Sequence, residues 1–399
     1  MQTPAAIPAP PPLPDSGAGA APPRRRQMRQ LAALAGATAL AGLLFGLWAA
    51  LQRLGFQLPA HPDLTLAHGP LMACGFLGAL VALERATACG ARWAMAAPLL
   101  LGLGALALAP DWERMAAVLM IGGSLALLAV YGVILRRRAE DFTLVMTGGA
   151  VALLLGNLYW AAGVLIPLMV YWWAGFLLLT IFAERMELSR LQPVLWRAAS
   201  AGGRRLYAGL RRYLAWAGVG LYSLALGVAA RHPVHGMRLA GGGMLALALW
   251  LAVYDPVWRM LSRRGLPRYI GANLLCGQAW LALSGALWAR YAGAMYFHYD
   301  AMLHSLFLGF VMTMVFAHAP IIFPAVSGRP LAWGRWFYAP AGLLQASLLG
   351  RIGTDLMQPP APAWWQFWGA LNVAALLLFI LTVAAGAGRG RRHQLRPAG

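Results

Sequence analysis

An apolar run from Ala301 to Phe323 constrains this chain more than any other feature, because two histidines interrupt it. The run has about the 20 residues that an α-helix needs to cross the hydrocarbon core of a bilayer. His304 and His318 lie inside it, and ionisable side chains at that depth are costly and indicate a functional site by default. A continuous α-helix would place them on one face, about four turns apart and toward opposite leaflets.

Composition extends the membrane prediction to the whole chain. Of its 399 residues, 60% are hydrophobic and 11% are charged, which is typical of integral membrane proteins and not of soluble ones. All 32 basic residues are arginines, and most of them lie between apolar segments. They form no single patch, so we expect membrane lipid and no nucleic acid as a partner. Their distribution favours a bacterial-type inner membrane protein with both termini in the cytoplasm.

The sequence predicts an all-α, polytopic membrane protein of three parts. Residues 1–28 are predicted to be a disordered Pro/Ala/Arg-rich cytoplasmic tail, 29–388 a twelve-helix membrane domain and 389–399 a basic cytoplasmic tail. The twelve predicted spans lie near 31–51, 66–83, 93–109, 115–135, 142–164, 166–183, 213–230, 239–257, 269–289, 301–323, 336–350 and 363–387.

A recurring Gly-Phe pair indicates an internal repeat. The pairs that begin at Gly75, Gly175 and Gly309 lie in predicted spans 2, 6 and 10, and nine residues after each glycine stands Glu84, Glu184 or His318, respectively. This spacing predicts three pseudo-symmetric units of four helices, with the equivalent helices lining the middle of the bundle. Glycines at these positions would let backbones or a flat cofactor approach closely. A coincidence of charges at helix ends is the alternative.

Two histidines on repeat-related helices are the candidate cofactor ligands. His68 precedes Gly75 by seven residues and His304 precedes Gly309 by five, so their imidazoles would lie at similar depth, within about 3 Å. Six-coordinate haem iron takes two such axial ligands. The second ring nitrogen of each would be held by a carbonyl or a carboxylate. The candidate partners are Asp63, Asp300 and carbonyls freed by Pro70. Alternatively, each histidine is hydrogen-bonded near its helix start without a metal.

The remaining histidines are weaker candidates. We expect His61 and His298 at the surface, although His298 could instead approach a cofactor edge or bind copper. His232 and His235 have a spacing that suits a metal, but two ligands make a weak site. A second bis-histidine haem at His318 would need another histidine in the inner half of the membrane, and the sequence offers none there.

An inner polar cluster is predicted where spans 2, 6 and 10 end. Its members carry acidic, basic or imidazole side chains at equivalent positions: Glu84, Arg85, Glu184, Arg185 and His318. The two arginines would neutralise the glutamates. The plain explanation is that charged side chains near helix ends extend toward the membrane–water interface. The functional alternative is proton uptake.

The twelve-helix layout, with histidines on the outer side of helices 2 and 10, resembles the catalytic subunit of haem-copper oxidases. In that family, histidines from those two helices hold the low-spin haem. This chain differs because span 6, at 166–183, contains no histidine and no His-His pair lies near helix 7. Oxygen reduction at a haem-copper centre is therefore not expected.

A closer resemblance is to the NnrS family of haem-containing bacterial membrane proteins, which are linked to nitric oxide metabolism and nitrosative stress. Its helix 2 motif resembles HxHEMLFGF, which His68 and Gly75-Phe76 match, although Pro70 and Leu71 replace its second histidine and its glutamate. Its later motifs resemble HALxxG and GRPL. His304 with Gly309 matches the first, and residues 328–331 match the second.

The resemblance implies haem b held by His68 and His304, with Gly75 and Gly309 at the cofactor; copper, through His298, is a weakly supported further metal. It implies a role in the nitric oxide response or in electron transfer, with nitric oxide or a redox partner. The alternative is a cofactor-free membrane transporter or assembly factor, coupled through the inner Glu/His cluster. An enzyme would need an open coordination site or a second metal, and the sequence shows neither.

Overall fold

The computed structural model describes residues 23–59, 64–190, 201–357 and 361–394. All regular secondary structure within these ranges is helical, which confirms the prediction of an all-α chain. Most of the predicted disordered tail lies outside the described residues, and so do His61 and Asp63.

The first half of the chain contains α1 (Pro23–Arg53), α2 (His68–Pro70), α3 (Ala79–Cys89), α4 (Ala96–Ala107), α5 (Glu113–Arg137), α6 (Asp141–Ala161) and α7 (Val170–Arg190). A π-helix, π1 (Leu71–Gly78), joins α2 to α3 without a break. Short 3₁₀ helices at Arg92–Met95 and Ile166–Leu168 precede α4 and α7.

The second half contains α8 (Ala201–Ala229), α9 (Pro233–Tyr254), α10 (Val257–Leu261), α11 (Leu266–Tyr291), α12 (Phe297–His304), α13 (Thr313–Ser327), α14 (Tyr338–Asp355) and α15 (Pro362–Gln394). A second π-helix, π2 (Ser305–Met312), joins α12 to α13, and a 3₁₀ helix at Arg335–Phe337 precedes α14. The predicted domain boundaries at 28/29 and 388/389 fall inside α1 and α15.

Local sequence explains several helix ends. Gly90 and Gly328 follow α3 and α13 with φ angles of 71° and 65°, a left-handed conformation that glycine adopts at low cost and that ends a helix. Glu140 and Thr143 form a reciprocal capping box at the start of α6, which satisfies two N–H groups that a helix start leaves open.

Within the described ranges, eight helices are long and apolar enough to cross a membrane. They are Arg26–Arg53, His68–Cys89, Glu113–Arg137, Asp141–Ala161, Pro233–Tyr254, Leu266–Tyr291, Phe297–Ser327 and Pro362–Gly390. Arg92–Ala107 is a shorter apolar helix. Every predicted span overlaps a helix. Eight helices in the described part of the chain have the length and composition that a membrane span requires, which is fewer than the twelve predicted spans. The number twelve therefore stays a prediction.

α7 is the centre of the bundle. Its side chains from Val170 to Thr180 are buried without interruption, as expected of a helix that is apolar on every face and enclosed by others. It contacts both π1 and π2, and α3 contacts α13. The three helices that carry the Gly-Phe pairs therefore meet in the interior, and many large apolar side chains of other helices face outward.

Candidate functional site

One cavity contains both candidate ligands. It has a volume of about 710 Å³ and is lined by residues of α1, α2, π1, α7, α12, π2, α14 and α15. The imidazole rings of His68 and His304 face each other across it, with centroids 6.4 Å apart and ring planes inclined by 31°. The matched depth that the sequence predicted for the two histidines is therefore observed as a direct juxtaposition.

Both imidazoles are anchored through the same ring nitrogen. Nδ1 of His68 lies 3.0 Å from the backbone carbonyl oxygen of Gly46 on α1. Nδ1 of His304 lies 3.0 Å from the backbone carbonyl oxygen of Asp300 and 3.1 Å from its Oδ1. A carbonyl oxygen only accepts hydrogen bonds, so each Nδ1 carries the proton and each Nε2 keeps its lone pair. Both histidines are thereby preset as ligands.

The separation of the rings suits a shared metal ion. Imidazole–metal bonds are about 2.0–2.1 Å long, and each ring adds about 1 Å, so two rings on opposite sides of one ion stand roughly 6 Å apart. The observed centroid distance of 6.4 Å agrees with this value. Among the described residues, no group of three or more His, Cys, Asp or Glu side chains is placed to hold a metal. A bare ion would therefore lack further protein ligands, whereas haem brings its own four nitrogens.

Asp300 is itself held by a buried network. Arg351 of α14 donates from Nε and Nη2 to the two carboxylate oxygens of Asp300, at 2.7 and 2.8 Å. Trp365 of α15 donates from Nε1 to Oδ2 at 3.2 Å. Sequence reasoning proposed Asp300 as a partner but missed Arg351, although an arginine within an apolar segment is itself an indication of function.

Further donors line the same cavity. Arg53 and Arg351 both border it, and so does Tyr299. The hydroxyl of Tyr299 is buried and has no hydrogen-bond partner within the described part of the chain. Arg53 donates to the carbonyl of Thr65 at 3.1 Å. This part of the wall can therefore bind the acidic groups of a ligand, and the remaining wall is largely apolar.

Gly75 and Gly309 do not line this cavity. A Cβ atom added to Gly75 would collide with Ala105 of α4, and one added to Gly309 would meet the ring of Trp280 on α11. The two glycines thus permit close packing between helices, which was one of their two predicted roles. Their predicted contact with a cofactor is not seen.

The two π-helices share one register. π1 begins four residues before Gly75 and ends three residues after it, and π2 has the same relation to Gly309. Gly175, the third predicted repeat position, lies in the regular helix α7. π-Helical turns are rare and occur often at functional sites, and here each follows a cavity histidine. Because π2 separates His304 from His318, the one-face alignment predicted for a continuous α-helix does not apply.

The predicted inner cluster forms two linked sets of charges at the opposite end of the bundle. Arg85 contacts both Glu84, at 3.2 Å, and Glu184. Arg185 does not neutralise these glutamates as predicted. It pairs instead with Asp255, with Nε–Oδ2 and Nη2–Oδ1 distances of 2.5 and 2.9 Å.

His318 and Asp255 complete this cluster. His318 interacts electrostatically with Glu84, Arg185 and Asp255, so it belongs to the same cluster. Sequence reasoning missed Asp255, which follows α9 and lies 70 positions after its partner Arg185. The scarcity of acidic residues, 12 in the whole chain, was the signal that could have revealed it.

The other predicted histidines lie elsewhere. The ring of His298 packs on that of Tyr291, with centroids 4.4 Å apart, and it does not line the cavity. The rings of His232 and His235 lie 6.3 Å apart. These contacts add no ligand to the His68–His304 pair.

A smaller cavity of about 390 Å³ lies beside the start of α6. Its charged groups pair with one another: Arg190 with Glu140 at 2.9 Å and Arg212 with Asp141 at 2.7 Å. The hydrogen bond from Arg190 lowers the pKa of Glu140 below its usual value. Because these groups satisfy one another, we regard the larger cavity as the candidate site.

Comparison with known proteins identifies the family of the chain. No curated protein and no solved structure matches it. One family does match, over residues 30–387, and this range includes both histidines of the cavity and the whole inner cluster. The chain therefore belongs to the family described as a domain of unknown function (DUF8744).

Proposed function

We propose that this protein binds haem b in a membrane, with His68 and His304 as the two axial ligands. One observation carries the proposal: two imidazoles, each anchored through Nδ1, face each other with centroids 6.4 Å apart across a cavity of about 710 Å³. Ligand cavities of about 300–1,000 Å³ hold cofactor-sized molecules. A haem-free role would leave two imidazoles, each anchored through Nδ1, beside a largely apolar cavity.

The other lining residues suit the same group. The two carboxylates of haem b need cationic or hydroxyl donors. Arg53 and the hydroxyl of Tyr299, which has no hydrogen-bond partner among the described residues, can supply them. The largely apolar wall suits the macrocycle. When bound, haem would supply one-electron redox chemistry.

The proposed setting is a bacterial inner membrane with both termini in the cytoplasm and with twelve helices in three units of four. The eight long apolar helices support the membrane setting. The arginine distribution supports the orientation. The shared register of π1 and π2 supports the equivalence of helices 2 and 10, and the contacts of α7 with both π-helices support the central position of helix 6.

The proposed role is in the nitric oxide response or in electron transfer, with nitric oxide or a redox partner as the second component. It follows from the resemblance of the His68 and His304 segments to the NnrS family. Copper as an additional metal has less support, because His298 packs on Tyr291.

A second candidate is a membrane transporter or assembly factor that uses the fold without a cofactor. The observation in its favour is the inner cluster, in which Glu84, Glu184 and His318 from three helices lie close to two arginines. Membrane carboxylates of this kind mark proton or ion pathways.

The deciding experiment is a reduced-minus-oxidised visible spectrum of the full-length protein, purified in detergent after expression with haem supplied. We expect a low-spin haem spectrum in the wild type. His68→Ala and His304→Ala should each abolish it or convert it to a high-spin spectrum. His298→Ala is the matched control and should leave it unchanged. A colourless wild type would exclude the haem function and favour the second candidate.

A further inference from the structure

We propose that the two axial histidines have unequal roles. His304 is the permanent ligand, and His68 is the exchangeable one, which leaves the haem when a small neutral diatomic molecule binds. This inference rests on the haem-binding function proposed above. It follows from the different ways in which the structure holds the two imidazoles.

His304 has a charged and rigid anchor. Its Nδ1 contacts the Asp300 carboxylate at 3.1 Å, and Arg351 fixes both oxygens of that carboxylate. Hydrogen bonds to ionised acceptors are roughly twice as strong as those to neutral acceptors. A carboxylate partner also makes a metal-bound imidazole more basic. Asp300 is therefore a positioning residue that strengthens His304 as a ligand.

His68 has a neutral anchor on a different helix. Its Nδ1 contacts the backbone carbonyl of Gly46 at 3.0 Å, and that acceptor carries no formal charge. His68 is thus the weaker donor of the pair. Its orientation also depends on the packing of α1, whereas His304 is anchored four residues earlier on its own helix.

Backbone position adds to this difference. His68 is the first residue of α2, and the turn at Ala67 precedes it. His304 has seven residues of α12 before it and continues directly into π2. Residues at a helix start have fewer helical hydrogen bonds to hold them, so they move at a lower cost in free energy.

Ala67, Gly69 and Met72 line the cavity beside His68, and these residues are small or, like methionine, conformationally adaptable. The exchangeable position faces α1, and the permanent one faces α14 and α15.

The test uses carbon monoxide as the probe on the reduced, haem-loaded full-length protein. In the wild type we expect the binding rate to level off at high carbon monoxide concentration, because the release of His68 limits it. In His68→Ala the haem should remain bound, the rate should rise linearly with concentration, and the final spectrum should match that of the wild type. His304→Ala should lose its haem or give an adduct with a shifted C–O stretching frequency, because His68 lacks the carboxylate partner that His304 has.

Two further variants distinguish an effect on the strength of His304 as a ligand from an effect on folding. Asp300→Asn should weaken haem retention by about 10–100-fold, the usual effect of removing a partner of a metal ligand, and should shift the C–O stretching frequency of the adduct. Asp300→Asn with Arg351→Gln removes both charges together and should show the same shift in a folded protein.

Two results would overturn the unequal roles and leave the haem function intact. One is a His304→Ala adduct that keeps its haem and has the C–O stretching frequency of the wild type. The other is a haem-loaded wild type that binds no carbon monoxide. A wild type without haem would instead refute the proposed function itself.

Discussion

The two polar regions of this protein differ in what their side chains leave unsatisfied. In the cavity, the rings of His68 and His304 lie 6.4 Å apart and each is anchored through Nδ1, and the buried hydroxyl of Tyr299 has no hydrogen-bond partner among the described residues. In the inner cluster, each guanidinium contacts carboxylates directly: Arg85 contacts Glu84 and Glu184, and Arg185 pairs with Asp255. The cavity is thus suited to an external ligand, whereas the cluster mainly neutralises its own charges.

This contrast separates stability from ligand binding. Substitutions in the cluster should destabilise the fold whether or not a cofactor is present. Substitutions of the cavity histidines should reduce the stabilisation that the cofactor gives and affect the empty protein less. The following variants test this separation, beginning with the largest expected effect.

Arg185→Met should destabilise the protein by about 3–5 kcal/mol, because it leaves the buried carboxylate of Asp255 without its counter-charge. The side chains of this pair are 2% and 0% exposed. Thermal unfolding in detergent measures the effect. Arg185→Met with Asp255→Asn is the matched control: the asparagine keeps an acceptor for the Val257 N–H, which lies 2.9 Å from Asp255, and should recover most of the loss. An unchanged unfolding temperature for the single variant would contradict the assignment.

His304→Ala should remove the stabilisation given by haem. A ligand present at 100 times its dissociation constant stabilises a protein by about 2.7 kcal/mol, so wild-type protein should unfold at a higher temperature with haem than without it. The variant should unfold at the same temperature in both states. Without haem, the two proteins should differ by about 1.5–3 kcal/mol, the contribution of one hydrogen bond to a charged acceptor. A larger loss in the haem-free variant would mean that this histidine is structural.

The sequence was more informative about the cavity than about the cluster. The juxtaposition of His68 and His304 followed from the depth of each histidine relative to a Gly-Phe pair, since helical rise is regular. The pairing of Arg185 with Asp255 joins residues 70 positions apart, and no local pattern encodes such a contact. The π-helices also went unpredicted, because the same Gly-Phe spacing occurs in the regular helix α7.

Two glycine variants test whether the close packing of π2 against α11 contributes to stability. In Gly309→Ala, the new methyl group would lie 2.5–2.8 Å from the Trp280 side chain. Overpacking of this kind usually costs about 1–3 kcal/mol. Gly342→Ala is the control, because nothing lies within 4 Å of a Cβ atom at that position. Thermal unfolding should show a loss for the first variant and no loss for the second. Equal unfolding temperatures would mean that Trp280 can move aside.

The smallest effects should come from the two glutamates that share Arg85. Glu84→Gln and Glu184→Gln each remove one of two like charges and leave Arg85 one carboxylate partner, so each should change stability by less than about 1 kcal/mol. The double variant leaves the guanidinium without a counter-charge and should cost about 3–5 kcal/mol. Thermal unfolding of all three variants measures this non-additivity, which follows from one cation shared between two anions. If the two single losses simply add up to the double loss, each glutamate acts alone, and the self-neutralising cluster is refuted.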